Sequence, residues 1–148
     1  MEIERKYLVT SDSYKQMAVA RYHICQGYIS REKTGTVRIR ITDDKAYLTI
    51  KGKPADGHFA RYEWEKEIDI QEAKELMHLC QGTIIDKTRW IVPAAEDGLK
   101  WEIDEFHGKH EGLTLAEIEL TSEEQEVEKP DFVGEDVTSD PRYYNANM

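Results

Sequence analysis

The sequence contains little cysteine and no long hydrophobic run. Cys25 and Cys80 are the only cysteines in 148 residues, and they lie far apart without CxxC spacing. They therefore indicate neither a disulfide framework nor a thiolate metal site. No apolar stretch approaches the roughly 18 residues that span a bilayer. The N-terminal segment MEIERKYLV is charged from its second residue, unlike a secretory signal. We expect a cytoplasmic protein with no membrane partner.

Basic side chains are also scarce. The chain has 20 Lys and Arg against 30 Asp and Glu, which gives a formal net charge of −10. Proteins that bind duplex nucleic acid normally carry a basic stripe, so we expect no nucleic-acid partner. Hydrophobic residues still make up 39% of the chain, with 3 Trp, 8 Tyr and 3 Phe. This composition supports a packed core, and the length fits one domain over residues 1–148.

Alternation of apolar and polar residues dominates the chain and predicts strands. Eight segments show this period of two, each bounded by turn residues: 2–9, 23–32, 36–42, 46–52, 59–68, 83–92, 99–106 and 113–121. Because the connections between them are short, the strands are expected to pair as an antiparallel meander.

Helical signals are fewer and predict short elements. Asp69 is a suitable N-cap for a helix over the segment IQEAKELMHLC. The other predicted helices are a segment over 13–21, an acidic segment from Thr121 to Pro130, and a last turn or two after Pro141. The fold class is therefore α+β and mainly β, with a few outer helices.

Six of the eight predicted strands carry charges two residues apart, which places both charges on one face of the strand. Several pairs have a single sign: Arg38 with Arg40, Lys87 with Arg89, Glu102 with Asp104, and Glu117 with Glu119. The solvated face of an ordinary antiparallel sheet is one explanation. Solubility needs only mixed charges, however, so the sorting by sign favours a barrel whose charged faces line its lumen.

An eight-stranded closed antiparallel barrel has an interior wide enough for one small ligand. Charged side chains in such a lumen lose water and need partners. A polyanion would pair with the Arg and Lys side chains, and divalent cations would pair with the carboxylates. The pattern therefore predicts a tunnel with a charged lumen that binds a metal-bound polyphosphate.

The N-terminal residues Glu2, Glu4 and Lys6 also form an ExExK motif. Further motifs follow in chain order: QGY, VRIR, LTIKG, RYEWE, KTRW, WEIDEF, LAEIEL and VTSDPRYYN. In this ordered set the chain resembles the CYTH superfamily, the triphosphate tunnel metalloenzymes. The resemblance implies an eight-stranded tunnel that binds a triphosphate with Mg²⁺ or Mn²⁺ and cleaves a phosphoanhydride bond.

The resemblance also implies roles for individual residues. The metal-side carboxylates are Glu2, Glu4, Glu117 and Glu119, and further acidic lining comes from Glu63, Glu65, Glu102 and Asp104. The phosphate-binding set is Lys6, Arg38, Arg40, Lys51, Lys87 and Arg89, to which strand alternation adds Arg61. Glu4, Lys6 and Tyr28 are the candidate catalytic residues, with Tyr28 matching a family tyrosine that works beside a lysine.

Within this superfamily the chain looks most like the bacterial group that hydrolyses inorganic triphosphate to pyrophosphate and phosphate. Three alternatives stay open: a class IV adenylate cyclase acting on ATP, a thiamine triphosphatase, and a non-catalytic sensor of polyphosphate or nucleotide. The expected partner is a small-molecule triphosphate, and the expected state is a monomer or a homodimer.

Overall fold

The computed structural model describes residues 1–32 and 34–148. Within these ranges the chain forms nine strands: β1 Glu4–Val9, β2 Ala20–Glu32, β3 Gly35–Thr42, β4 Lys45–Gly52, β5 Glu63–Ile68, β6 Gln81–Pro93, β7 Lys100–Phe106, β8 Thr114–Glu119 and β9 Val133–Asp136. They form one sheet in the order β5-β4-β3-β2-β6-β7-β8-β1-β9. Every pairing in this order is antiparallel.

The sheet is not closed by continuous strand pairing among the described residues. Its edges are β5 and β9. An isolated bridge joins Glu2, which precedes β1, to Arg61, which precedes β5. β9 pairs with β1, at Tyr7 with Asp136 and at Val9 with Val133. It therefore occupies the edge of β1 that a barrel would offer to β5. The prediction of a mainly β, antiparallel fold is confirmed, while the sheet has nine strands instead of eight and closure is unconfirmed.

The helices are shorter and fewer than predicted. α1 covers only Tyr14–Met17, because the chain from Ala20 onward pairs with β6 as part of β2. α2 covers Ile70–Met77, and the Asp69 side chain accepts a hydrogen bond from the Gln71 amide as the predicted cap. Neither helix of the described chain has the length and apolar character needed to cross a membrane.

The prediction of an acidic helix from Thr121 to Pro130 is wrong. Residues 121–124 form bends and a turn, in which the Gln125 side chain accepts hydrogen bonds from the amide and the hydroxyl of Thr121. The predicted last turns are confirmed as two 3₁₀ turns, Pro141–Tyr143 and Asn145–Asn147. A third 3₁₀ turn covers Gly108–His110.

The apolar faces of the strands pack against covering segments on the outside of the curved sheet. Trp101, Ile103 and Ile118 pack with Tyr14 of α1 and with Phe132, which precedes β9. A second apolar cluster packs α2 against β3 and β4. The opposite faces of the same strands carry the charged residues, which surround a cavity.

Candidate active site

The charged strand faces meet around one cavity of about 630 Å³. All strands from β1 to β8 contribute to its wall. The predicted site residues that line it are Glu2, Glu4, Lys6, Tyr28, Arg38, Arg40, Lys51, Arg61, Glu63, Glu65, Lys87, Arg89, Glu102, Glu117 and Glu119. Many of these charged side chains are buried, so the alternative of an ordinary solvated face fails for them.

Strand register explains why charges of opposite sign come together. Lys6 on β1 lies opposite Glu117 on β8, and Glu4 lies opposite Glu119. Directly opposite residues in an antiparallel pair project to the same face, so these four side chains share the cavity side. Their apolar neighbours in sequence project into the outer core.

Lys87, Arg89 and Asp104 form a buried ion-pair network beside the cavity. The Lys87 Nζ lies 2.8 Å from Asp104 Oδ2. The Arg89 Nε donates to Asp104 Oδ1 at 2.8 Å, and its Nη2 donates to Asp104 Oδ2 at 2.9 Å. Asp104 is only 1% exposed and is not among the residues that line the cavity. The structure therefore corrects its predicted place: both of its oxygens are engaged in holding two basic side chains.

Burial and neighbouring charges shift the pKa values in this network in opposite directions. Burial raises the pKa of Asp104, but the charges of Arg89 and Lys87 outweigh burial and hold it below its ordinary value. Burial also lowers the pKa of Lys87 to about 7, although the negative charge of Asp104 opposes the shift. Burial therefore disfavours the charged form of Lys87, and the ion pair with Asp104 stabilises it.

Arg40 has less charge compensation than Arg38, Arg61 and Arg89, three other arginines of the cavity wall. In the described part of the chain no carboxylate lies within 4.0 Å of its guanidinium, whose Nε donates to Gln26 Oε1 at 2.7 Å. Burial, together with the charges of Arg38 and Arg89, lowers the pKa of Arg40 to about 9. Arg38 is only weakly paired, with 3.7 Å between its Nη2 and Glu65 Oε2. Two neighbouring guanidinium groups thus face the cavity with little anionic compensation, as a polyanion site requires.

The carboxylates of the N-terminal segment and β8 differ in whether a lysine pairs with them. Lys51 Nζ donates to both oxygens of Glu2, at 2.9 and 2.8 Å, and Lys6 Nζ lies 3.3 Å from Glu117 Oε1. Burial and the charge of Glu117 raise the pKa of Glu4 to about 7. Burial and the charge of Glu2 likewise raise the pKa of Glu119. Surplus negative charge therefore remains around Glu4 and Glu119.

This donor chemistry fits a hard divalent cation. The four carboxylates supply oxygen ligands only, which Mg²⁺ and Mn²⁺ prefer over nitrogen or sulfur. Among the described residues no three His, Cys, Asp or Glu side chains already converge in a metal-holding arrangement. Lys51 engages Glu2, and Lys6 engages Glu117. A cation would relieve the repulsion that the raised pKa of Glu4 reflects.

The raised pKa of Glu4 makes the stability of the metal-free protein depend on pH. Because its pKa of about 7 in the folded protein exceeds the ordinary value of 4.5, folding is favoured by protonation and this contribution is lost as pH rises through 7. Between about pH 4.5 and pH 7, Glu4 is expected to lower the free energy of unfolding by up to about 3 kcal/mol. Urea denaturation in EDTA measures the change, and Glu4→Gln is expected to remove it. The same pH slope in wild type and variant would contradict the assignment.

The C-terminal residues make contacts at the cavity that the sequence does not predict. Asn145 Oδ1 accepts hydrogen bonds from Lys87 Nζ at 2.9 Å and from Gln26 Nε2 at 3.2 Å. The Lys6 Nζ donates to the Tyr143 carbonyl at 2.8 Å. Gln26 could have been found, because it lies two residues before Tyr28 on the same strand face. The local sequence of the tail does not identify its partners, which lie 58 and 137 residues away in sequence.

Comparison with known proteins gives consistent matches over nearly the whole chain. The CYTH domain family matches residues 1–144. An inorganic triphosphatase from Acetivibrio thermocellus is 44% identical over 148 residues, which cover 99% of this chain and 92% of that protein. An inorganic triphosphatase from Nitrosomonas europaea is 32% identical over 150 residues, which cover 99% and 95% of the two chains. A crystal structure of an inorganic triphosphatase superposes with a TM-score of 0.67 at 30% identity, covering 99% of this chain and 93% of that chain.

Proposed function

Because this chain belongs to the CYTH family, we propose that it is a divalent-metal-dependent hydrolase that cleaves inorganic triphosphate to pyrophosphate and phosphate. The family resemblance noted in the sequence is thereby confirmed. Two relatives that are 44% and 32% identical to the chain are inorganic triphosphatases. The single structural observation that supports the same reaction is Arg40, a half-buried guanidinium in the cavity wall without a carboxylate partner within 4.0 Å among the described residues.

We propose that the basic side chains of the cavity bind the triphosphate. Arg38 and Arg40 present adjacent guanidinium groups, while Lys87 and Arg89 are fixed by Asp104. The complete set in this proposal is Lys6, Arg38, Arg40, Lys51, Arg61, Lys87 and Arg89. Arginine forks bind two phosphate oxygens at once, so several of them hold a linear triphosphate in one orientation.

The proposed metal side of the cavity is acidic. Glu2, Glu4, Glu117 and Glu119 would hold Mg²⁺ or Mn²⁺, with Glu63, Glu65 and Glu102 as further acidic lining. A bound divalent cation neutralises phosphate charge and lowers the pKa of bound water. Release of Glu2 by Lys51 would free both of its oxygens, since Lys51 engages them here.

In the proposed reaction the oxygen of a water molecule forms a bond to a terminal phosphorus while the bridging P–O bond breaks. Pyrophosphate leaves, phosphate forms, and the water gives up a proton. We propose that Glu4 accepts that proton, and that Lys6 and Tyr28 stabilise the leaving oxygen. Positioning and charge stabilisation supply most of the rate enhancement in phosphoryl transfer.

Several broader features belong to the same proposal. We propose that residues 1–148 act as one domain and that the sheet works as a closed tunnel, with Glu2 and Arg61 joining its edges through two backbone hydrogen bonds of 2.8 and 3.0 Å. The protein is proposed to act in the cytoplasm as a monomer or homodimer. Its net charge of −10 favours a small-molecule triphosphate over nucleic acid as partner.

A substrate panel tests the proposal. Purified protein is incubated with triphosphate, pyrophosphate, ATP or thiamine triphosphate, each with Mg²⁺, Mn²⁺ or EDTA, and products are separated by ion-exchange chromatography. We expect pyrophosphate and phosphate from triphosphate, only with metal present. Cyclic AMP from ATP would identify a cyclase, faster turnover of thiamine triphosphate would identify a thiamine triphosphatase, and binding without any product would identify a sensor.

A further inference from the structure

The segment between β4 and β5 crosses the gap between the two sheet edges that strand pairing leaves open. We call residues 53–61 the strap. Its last residue, Arg61, forms the backbone bridge to Glu2. Lys53, His58, Phe59 and Arg61 of the strap line the cavity, and Lys53 and His58 are exposed, so the strap lies at an opening.

A carboxylate from the opposite side of this gap holds the strap. Glu123, in the turn after β8, lies with its Oε1 2.8 Å from His58 Nδ1. Its Oε2 accepts a hydrogen bond from the Phe59 amide at 3.3 Å. Arg5 of β1 reinforces both contacts, since its Nη2 donates to the Glu123 carbonyl at 3.2 Å and its guanidinium lies 4.7 Å from the centre of the Phe59 ring.

The two cationic side chains of the strap depend on these contacts for their position. Arg61 Nε lies 3.5 Å from Glu2 Oε1, a distance too long for a strong ion pair, and Lys53 is exposed. The strap contains no helix or strand, and its own side chains supply little buried area. Its conformation therefore relies on anchors at Phe59, His58 and Arg61.

We propose that Glu123 is a positioning residue of the triphosphate site. By holding His58 and the Phe59 amide, it keeps Lys53 and Arg61 at the cavity opening, where they attract and orient the anion. This inference rests on the proposed function. Glu123 itself touches neither substrate nor metal, and its neighbour Glu124 is exposed without such a contact among the described residues.

The test compares Glu123→Ala with Glu124→Ala, because both variants lose the same charge from adjacent positions. Calorimetry in EDTA measures the Kd for triphosphate without turnover. Glu123→Ala is expected to raise the Kd about tenfold and Glu124→Ala less than about twofold. Glu123→Gln keeps an oxygen that can accept from the Phe59 amide, so its Kd is expected to lie between those of wild type and Glu123→Ala.

Two further measurements separate positioning from loss of structure. Hydrogen exchange of the peptide containing the strap is expected to accelerate in Glu123→Ala only, while the thermal midpoints of the two alanine variants stay within about 2 °C of each other. Equal Kd values for the two variants, or accelerated exchange without a change in Kd, would overturn the proposal. If wild type binds triphosphate but releases no phosphate, the proposed function fails and the Kd comparison still decides the role of Glu123. No binding of triphosphate by wild type would overturn both.

Discussion

Replacing Arg40 by glutamine is expected to reduce kcat/KM for triphosphate about 100- to 1,000-fold without destabilising the protein. The loss follows because Arg40 presents a cavity-lining charge that no carboxylate within 4.0 Å neutralises among the described residues, so its role is reserved for an anionic ligand. Stability should be kept because burial and the charges of Arg38 and Arg89 already disfavour this cation, as its pKa of about 9 reflects. We expect the free energy of unfolding to remain within about 1 kcal/mol of wild type or to rise. Phosphate release and urea denaturation on the same preparations measure the two effects.

Arg21→Gln is the matched control for this prediction. Arg21 is an exposed strand arginine whose guanidinium lies over Trp90, 5.2 Å from the ring centre and away from the cavity. Activity of the control is expected to stay within about twofold of wild type. Comparable activity in the Arg40 and Arg21 variants would remove Arg40 from the substrate site. A large fall in the stability of Arg40→Gln would show that its charge is compensated within the fold.

Asp104→Asn is expected to have the largest effect on stability. The carboxylate of Asp104 is 1% exposed and pairs with both Lys87 and Arg89. Its neutralisation leaves the buried Lys87 without an ion-pair partner among the described residues and leaves Arg89 with only the partly exposed Glu102. Breaking a buried pair from one side decreases the free energy of unfolding by about 3–5 kcal/mol. For a chain of this length the corresponding fall in Tm is on the order of 10 °C. Calorimetric or circular-dichroism melting curves in EDTA measure it.

Glu102→Gln provides the control for the same network. Glu102 also pairs with Arg89, at 3.0 Å, but its side chain is 25% exposed. Its substitution is expected to change the free energy of unfolding by no more than about 1 kcal/mol.

Triphosphate is expected to raise the Tm of Asp104→Asn more than that of wild type, because the polyanion replaces the missing charge. An Asp104 variant as stable as the Glu102 variant would contradict the proposed network.

Strand alternation allowed the cavity to be predicted because it fixes which side chains share a face. Arg38, Arg40 and Glu117 all line the cavity, as their i, i+2 spacing predicts. Alternation does not determine how deeply each side chain is buried, however. Asp104 follows Glu102 on the same face, yet it lies behind the cavity wall because the register of β6 and β7 places it opposite Arg89.

The parts that sequence analysis missed depend on contacts between distant segments. β9 is a short, polar strand with weak alternation, and it exists because the edge of β1 is available to it. The segment after Thr121 has the composition of a helix. Its Glu123 nevertheless forms a hydrogen bond with His58, which lies 65 residues earlier in sequence. No local sequence pattern predicts this contact.

The structure of the protein crystallised with triphosphate in EDTA tests the central claim most directly. The charged strand faces are claimed to enclose an anion site, so the phosphate oxygens should lie within hydrogen-bond distance of Arg38, Arg40 and Arg89 inside the cavity. Triphosphate bound on the outer surface of the sheet, with these guanidinium groups making no contact to it, would contradict the claim.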